Sequence, residues 1–128
     1  MFLVRIPAAG GLETVPVPDG SLPQTLLAEL LHTDVTERMR IPVMPDAFAG
    51  EDFVLCYFLD ARGGDRQLPA NFLGTCFYHT GCPVCGDLLI AACAQDSDSA
   101  AVSGFTPEQT AALTDWLPAQ FSVYLDGQ

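Results

Sequence analysis

Apolar residues recur along the chain with two different periods, and each period predicts a different kind of element. Residues Phe2 to Pro7 alternate, a glycine turn follows, and Glu13 to Val17 alternate again, which predicts a β-hairpin. Pro16 and Pro18 cannot donate to a strand ladder, so the second strand is expected at an edge of the sheet.

Two stretches have apolar residues at helical spacing, and a capping motif precedes each. Ser21 to Gln24 has the form of a capping box and predicts a helix from about Leu22 to Thr33. His32, at the end of this helix, is expected at the surface. A second capping box, Thr106 to Gln109, predicts a helix to about Leu117, where the next residue, a proline, interrupts it. The apolar run after this proline fits a short helix or a strand.

The remaining apolar stretches predict strands. Val35 to Met44 alternates apolar and charged residues, which is typical of a half-exposed strand. Phe53 to Leu59 and Asp87 to Ala94 are continuous apolar runs and predict buried strands, with Cys56 in the core. The chain is therefore predicted to form a single α+β domain over residues 1–128, a mostly antiparallel sheet packed against two helices. A single core should bury the following side chains together: Leu26, Leu30, Phe53, Leu55, Leu89 and Trp116.

The composition is strongly acidic. Sixteen Asp and Glu residues oppose five arginines and no lysine, so the formal net charge is -11. A nucleic-acid site needs several basic residues to displace counterions, so direct nucleic-acid binding is not expected. Two interpretations of the charge stay open. It keeps the chain soluble, or it forms an acidic surface that occupies a basic, nucleic-acid-binding groove on a protein partner.

No apolar run has the length of a signal peptide or a membrane span, which predicts a cytoplasmic location and no membrane partner. Five cysteines, an odd number, are not expected to form a disulfide framework in that reducing compartment. They are expected to be metal ligands or small buried residues.

The sharpest chemical pattern is a cluster of metal-ligating residue types at intervals of three: Cys76, His79, Cys82 and Cys85. The segment Cys82 to Gly86 has the form of a zinc knuckle, whose two thiolates converge on one ion. Structural zinc sites usually join two knuckles about a dozen or more residues apart, and this spacing is far more crowded. The main expectation is therefore no cofactor, and zinc held by these four residues is the alternative. Without zinc, Cys82 and Cys85 flank a tight turn and Cys93 lies in the core.

No pattern predicts an enzyme. The first cysteine of a thiol-disulfide enzyme usually lies at a helix N-terminus, whereas a glycine and a strand-like run follow this Cys-x-x-Cys. Nucleophilic catalysis by a cysteine beside His79 is disfavoured because Phe77 and Tyr78 indicate a packed segment. Phosphate-binding loops and serine-nucleophile motifs are also missing from the sequence.

Several of these segments occur in an order that resembles a family of small uncharacterised proteins, a domain of unknown function carried by phages, plasmids and conjugative elements of Gram-positive gut bacteria. The resemblance depends on the hairpin, the leucine-rich helix, the run from Phe53 and the following short motifs: Leu68 to Asn71, Gly81 to Asp87, and Gly104 to Gln109. The positions that match the family are Pro69, Asn71, Pro83 and Gly86. This chain departs from the family by having Cys82 and Cys85 in the turn.

The resemblance implies a non-enzymatic accessory protein that modulates host or element machinery, since such relatives are often found near antirestriction genes. Two function classes follow. The first is a protein that binds a partner and inhibits a host nucleic-acid-handling defence complex, and the second is a small zinc-binding adaptor or regulatory domain. For the first, the predicted interaction residues are loop acids that could meet a basic groove: Glu51, Asp52, Asp60, Asp65, Asp96 and Asp98.

Overall fold

The structure is a computed structural model that describes residues 1–41, 44–63, 66–71, 85–94 and 101–126, with the backbone alone for 120–126. Six strands, two α-helices and one 3-10 turn form in this part of the chain. In chain order they are β1 (Phe2–Ile6), β2 (Glu13–Pro16), α1 (Gln24–Leu30), β3 (Thr36–Arg40), the 3-10 turn (Asp46–Phe48), β4 (Phe53–Asp60), β5 (Leu88–Ala94), β6 (Val102–Ser103) and α2 (Pro107–Asp126).

The strands form one sheet in the order β2-β1-β5-β4-β3, and β6 pairs with β5 beyond the end of β1. Every pairing is antiparallel, which confirms the predicted α+β class with a mostly antiparallel sheet. The hairpin of β1 and β2 forms as predicted, and β2 lies at one edge. The two apolar runs become the neighbouring central strands β4 and β5, paired from Phe53 with Ala94 to Leu59 with Leu88.

The prediction of one common core is wrong, because the sheet separates two hydrophobic clusters. On β5, Leu88, Ile90 and Ala92 face a cluster that includes Leu113 and Leu117 of α2. The alternate residues of β5 face a second cluster with the leucines of α1. Successive side chains of a strand point to opposite faces, so a continuous apolar run fits a strand that is covered on both sides. Leu26, Leu30 and Leu89 therefore belong to one cluster, and Phe53, Leu55 and Trp116 belong to the other.

Helix α1 begins later than the capping box predicts. Ser21 forms a β-bridge with Ser103, and the N–H of Leu22 donates to the carbonyl of Val102 at 2.7 Å. These bonds hold both residues alongside β6, so the helix begins at Gln24 without a side-chain cap. It ends before His32, which has a positive φ of 54° and is exposed, as predicted.

Helix α2 begins as predicted and continues past its predicted end. The N–H of Thr106 donates to Gln109 Oε1 at 3.0 Å, and the N–H of Gln109 donates to Thr106 Oγ1 at 3.1 Å, which completes a capping box. The prediction that Pro118 interrupts the helix is wrong, since Pro118 lies inside it. A proline removes one backbone donor from the helix. Burial of Leu113 and Leu117 against the sheet holds the two preceding turns in place.

Candidate functional site

The predicted zinc ligands fall mostly outside the residues that the structure describes. Cys76, His79 and Cys82 lie there, and Cys85 alone is described. Cys85 is half-buried and forms a β-bridge with Ala70, just before β5. Within the described ranges, no group of three or more His, Cys, Asp or Glu side chains could hold a metal ion. Zinc binding at these four residues therefore stays a prediction.

Asn71 attaches the segment around Cys85 to the sheet. Its side chain is fully buried, and Nδ2 donates to the carbonyls of Ile6 at 2.8 Å and Gly86 at 2.9 Å. The N–H of Gly86 also donates to the carbonyl of Pro69 at 2.8 Å. Gly86 has a φ of +90°, and a Cβ there would lie 2.9 Å from Leu68 Cδ1. The local backbone geometry therefore requires both Asn71 and Gly86. This structural requirement accounts for the two residues, and no bound ligand is needed to explain them.

Among the predicted interaction residues, Asp60 is not a loop acid. It ends β4, is 3% exposed, and its carboxylate accepts the N–H of Arg62 at 2.8 Å and pairs with Arg66. Arg66 also donates to the carbonyl of His32 at 3.0 Å. The carboxylate of Asp60 thus anchors the turn after β4, and the prediction that Asp60 is a loop acid with a free charge is wrong. Asp65 lies outside the described residues.

Glu51 and Asp52 lie where the prediction places them, in the loop before β4. Both are exposed at a cleft of about 350 Å³ at one end of the sheet, which we call the acidic cleft. Its walls come from four segments of the chain: Gly20 and Ser21, Glu51 to Phe53, Cys93 and Ala94, and Ala101 to Ser103. The cleft is therefore built by the ends of β4, β5 and β6 together with the approach to α1.

The ion pairs found among the described residues all involve acids outside this cleft. In the described part of the chain, the ion pairs join Asp19 to the N-terminal amine, Glu13 and Asp87 to Arg5, and Asp60 to Arg66. Neither Glu51 nor Asp52 belongs to this set. Their negative charge is consequently not neutralised by an arginine among the residues that the structure describes.

The segment that contains Asp96 and Asp98 lies outside the described residues, but both of its attachment points are described. Ala94 and Ala101 line the acidic cleft, and the N–H of Ala94 donates to the carbonyl of Ala101 at 3.2 Å. The chain therefore leaves and re-enters the described fold at the rim of the same cleft that carries Glu51 and Asp52.

Sequence reasoning missed that two buried cysteines are diagonal neighbours on adjacent strands. Cys56 of β4 and Cys93 of β5 are 4% and 1% exposed, and both were expected in the core. Cys56 lies opposite Ala91 and Cys93 lies opposite Val54, so the two thiols are diagonal neighbours on the α1 face of the sheet. The alternation of the two runs could place each cysteine on a face. The register that brings them together depends on strand pairing, which alternation does not reveal.

The two thiols have opposite electrostatic character. A hydrogen bond from the Cys93 thiol lowers the pKa of Cys56, and the nearby charges of Arg38 and Arg40 act in the same direction against the effect of burial. The same hydrogen bond, together with burial, raises the pKa of Cys93. Arg40 lies directly opposite Cys56 on the edge strand β3. Cys56 is thus the thiol of the pair that favours the thiolate form.

No protein-family model matches this chain, and no curated protein or solved structure matches it either. Among the described helices, none is both long enough and apolar enough to cross a membrane.

Proposed function

We propose that this protein acts by binding a protein partner rather than by catalysing a reaction, and that a basic segment of the partner occupies the acidic cleft. The exposed, unneutralised carboxylates of Glu51 and Asp52 at the rim of a concave site are the observation that supports this proposal. Carboxylates in such a position attract arginine and lysine side chains, and they add specificity and association rate more than affinity.

The partner class follows from charge. A chain with no lysine and a net charge of -11 repels nucleic acid but is attracted to surfaces that bind nucleic acid. We therefore propose a partner with a basic, nucleic-acid-binding groove, in the cytoplasm. Inhibition of a host defence complex by an accessory protein of a mobile element or phage would be one instance of such binding. The proposal of this particular instance rests on the family resemblance.

Asp96 and Asp98 are included in the proposed surface because their segment joins the fold at the rim of the acidic cleft. Asp60 is left out because its carboxylate is buried and occupied. The proposed surface is thus one end of the sheet, and the opposite end of β4 does not take part. The alternative function, a zinc-binding adaptor, has no support from a described contact and stays a prediction.

Fluorescence anisotropy with a labelled peptide of alternating arginine and glycine tests the proposed surface. The double variant Glu51→Gln/Asp52→Asn should bind the peptide about fivefold more weakly, because two exposed ion pairs together contribute roughly 1 kcal/mol. The matched control is Glu29→Gln/Asp115→Asn, which removes the same charge from exposed positions on α1 and α2. It should weaken binding less than about twofold, since distant exposed charges are screened at physiological salt.

Equal weakening by the two double variants would contradict the proposed site, because binding would then depend on net charge alone. Binding that does not change with salt concentration would contradict the electrostatic basis of the proposal, since exposed ion pairs weaken as salt screens them.

A further inference from the structure

A second cavity, of about 340 Å³, lies between α1 and the sheet, and we call it the α1 cavity. Four of its lining side chains are apolar and at most 6% exposed: Leu22, Leu27, Phe58 and Val102. The others are polar: Gln24, Thr36 and Arg38. Ligand pockets in proteins have mainly apolar walls with a few polar groups, and their volumes are roughly 300–1,000 Å³. The α1 cavity has the composition and the size of such a pocket.

The strand register places Arg38 on the face of the sheet that α1 covers. Arg38 of β3 lies directly opposite Phe58 of β4, and directly opposite residues of antiparallel strands share a face. Phe58 belongs to the hydrophobic cluster that contains the leucines of α1. The edge strand β3 therefore brings a cation to the wall of a cavity that is otherwise mostly apolar.

The charge of Arg38 is available to a ligand. Arg5 and Arg66 are in ion pairs, whereas the exposed Arg38 has no ion pair with any residue that the structure describes. Its neighbour Glu37 lies opposite Leu59, which belongs to the cluster on the other face of the sheet. A guanidinium group donates two parallel hydrogen bonds to a carboxylate. A carboxylate in the α1 cavity would thus supply the partner that Arg38 lacks among the described side chains.

We propose that the α1 cavity binds a small amphipathic carboxylate, with the head group paired to Arg38 and the apolar body against Phe58 and the aliphatic side chains. A water molecule occupies about 30 Å³ in the liquid, so the cavity has room for roughly ten non-hydrogen atoms. Octanoate has this size. The side chains of Gln24 and Thr36 add N–H and O–H donors at the cavity wall for the carboxylate oxygens.

The charge of the chain favours a head group with a single negative charge. A net charge of -11 repels anions, and a doubly charged phosphate more than a carboxylate. Arg38 is the only cation in the described lining, so it can neutralise one negative charge. The same lining contains no acid and shares only Val102 with the acidic cleft, so this inference does not depend on the proposed protein partner.

A titration of the ¹⁵N-labelled full chain with sodium octanoate, followed by ¹H–¹⁵N correlation spectra, tests the site and the ligand class. We expect saturable shifts centred on the amides of Leu27, Arg38 and Phe58, with a dissociation constant of roughly 0.1–1 mM for a ligand of this size. Hexanoate should bind about tenfold more weakly, because each buried methylene contributes a factor of about four. Octanol, which has no charge, should bind about fivefold more weakly or worse.

A matched pair of variants tests the role of Arg38. Arg38→Gln should weaken octanoate binding about fivefold or more, because the charge-assisted hydrogen bonds are lost. The control Arg40→Gln makes the same charge change at an exposed arginine on the same face of β3, outside the cavity lining. It should weaken binding less than about twofold, since water and salt screen a charge at that distance.

Three results would overturn the proposal. The first is the absence of a saturable shift with octanoate, and the second is binding of octanol as tight as that of octanoate. The third is equal weakening by Arg38→Gln and Arg40→Gln, because the carboxylate would then respond to the general potential of β3 and not to one guanidinium group. Both substitutions are at exposed positions, where a change of side chain usually leaves the fold intact.

Discussion

Replacing Asn71 with alanine would test how the segment before β5 is attached to the sheet. The change removes the Nδ2 group that donates to the carbonyls of Ile6 and Gly86, and both of these residues are buried. Each carbonyl left without a donor loses the compensation for its desolvation, at roughly 1–3 kcal/mol per buried group. Partial rescue by water reduces the sum, so we expect the free energy of unfolding to fall by about 2–4 kcal/mol.

Urea unfolding followed by the fluorescence of Trp116, the single tryptophan, measures this change. A loss of that size is a large part of the roughly 5–15 kcal/mol that stabilises a domain, so the variant should fold but unfold at a clearly lower urea concentration. The slope of the transition should stay the same, because the surface exposed on unfolding does not change. The thiol of Cys85, which follows the attached segment, should react faster with maleimide in the variant.

Gln24→Ala is the matched control, since it deletes an exposed amide at the first residue of α1. It should change the free energy of unfolding by less than about 0.5 kcal/mol, as is usual for surface positions. If Asn71→Ala changed stability as little as the control does, the amide would not be the group that satisfies the two carbonyls, and the reasoning would be refuted.

Three further outcomes are expected. Leu113→Ala should lower the free energy of unfolding by about 3 kcal/mol in calorimetry, because the Leu113 side chain is fully buried against the sheet. A loss below about 1 kcal/mol would contradict the packing of α2. Thr106→Ala should destabilise by about 1 kcal/mol through loss of the capping box, whereas Ser21→Ala should have a smaller effect in the same urea titration since Ser21 caps no helix. Elemental analysis of the chain purified without added metal or chelator should find far less than one zinc per molecule, and stoichiometric zinc that is lost in Cys82→Ser would instead establish the knuckle.

The elements that local patterns could predict are those whose signals lie within a few residues. The hairpin, the strand from Phe53 and the cap at Thr106 follow from alternation, apolar runs and side-chain chemistry. The start of α1 could not be predicted in this way. Ser21 carries a good capping signal, but a more distant strand, β6, binds its backbone and overrides the local preference.

In the candidate site too, local patterns predict some features, and the others depend on distant segments of the chain. Exposure of Glu51 and Asp52 could be inferred from the loop that contains them. The burial of Asp60 could not, because it depends on Arg66 folding back across the turn. The diagonal placement of Cys56 and Cys93 depends on a strand register, and the two hydrophobic clusters depend on which face each helix covers. A register depends on pairing between distant segments, so one stretch of sequence does not specify which residues of its partner it faces. The continuous apolar runs do indicate strands covered on both faces, but not which helix covers each face.

The position of β1 has a consequence for how the chain folds during its synthesis. β1 pairs with β2, which follows immediately, and on its other side with β5, which the ribosome produces much later. Until β5 emerges, the inner edge of β1 has no partner, although Leu3, Val4 and Ile6 are all fully buried in the finished sheet. Pairings between such distant segments slow folding. The sheet can therefore close only after most of the chain has been made.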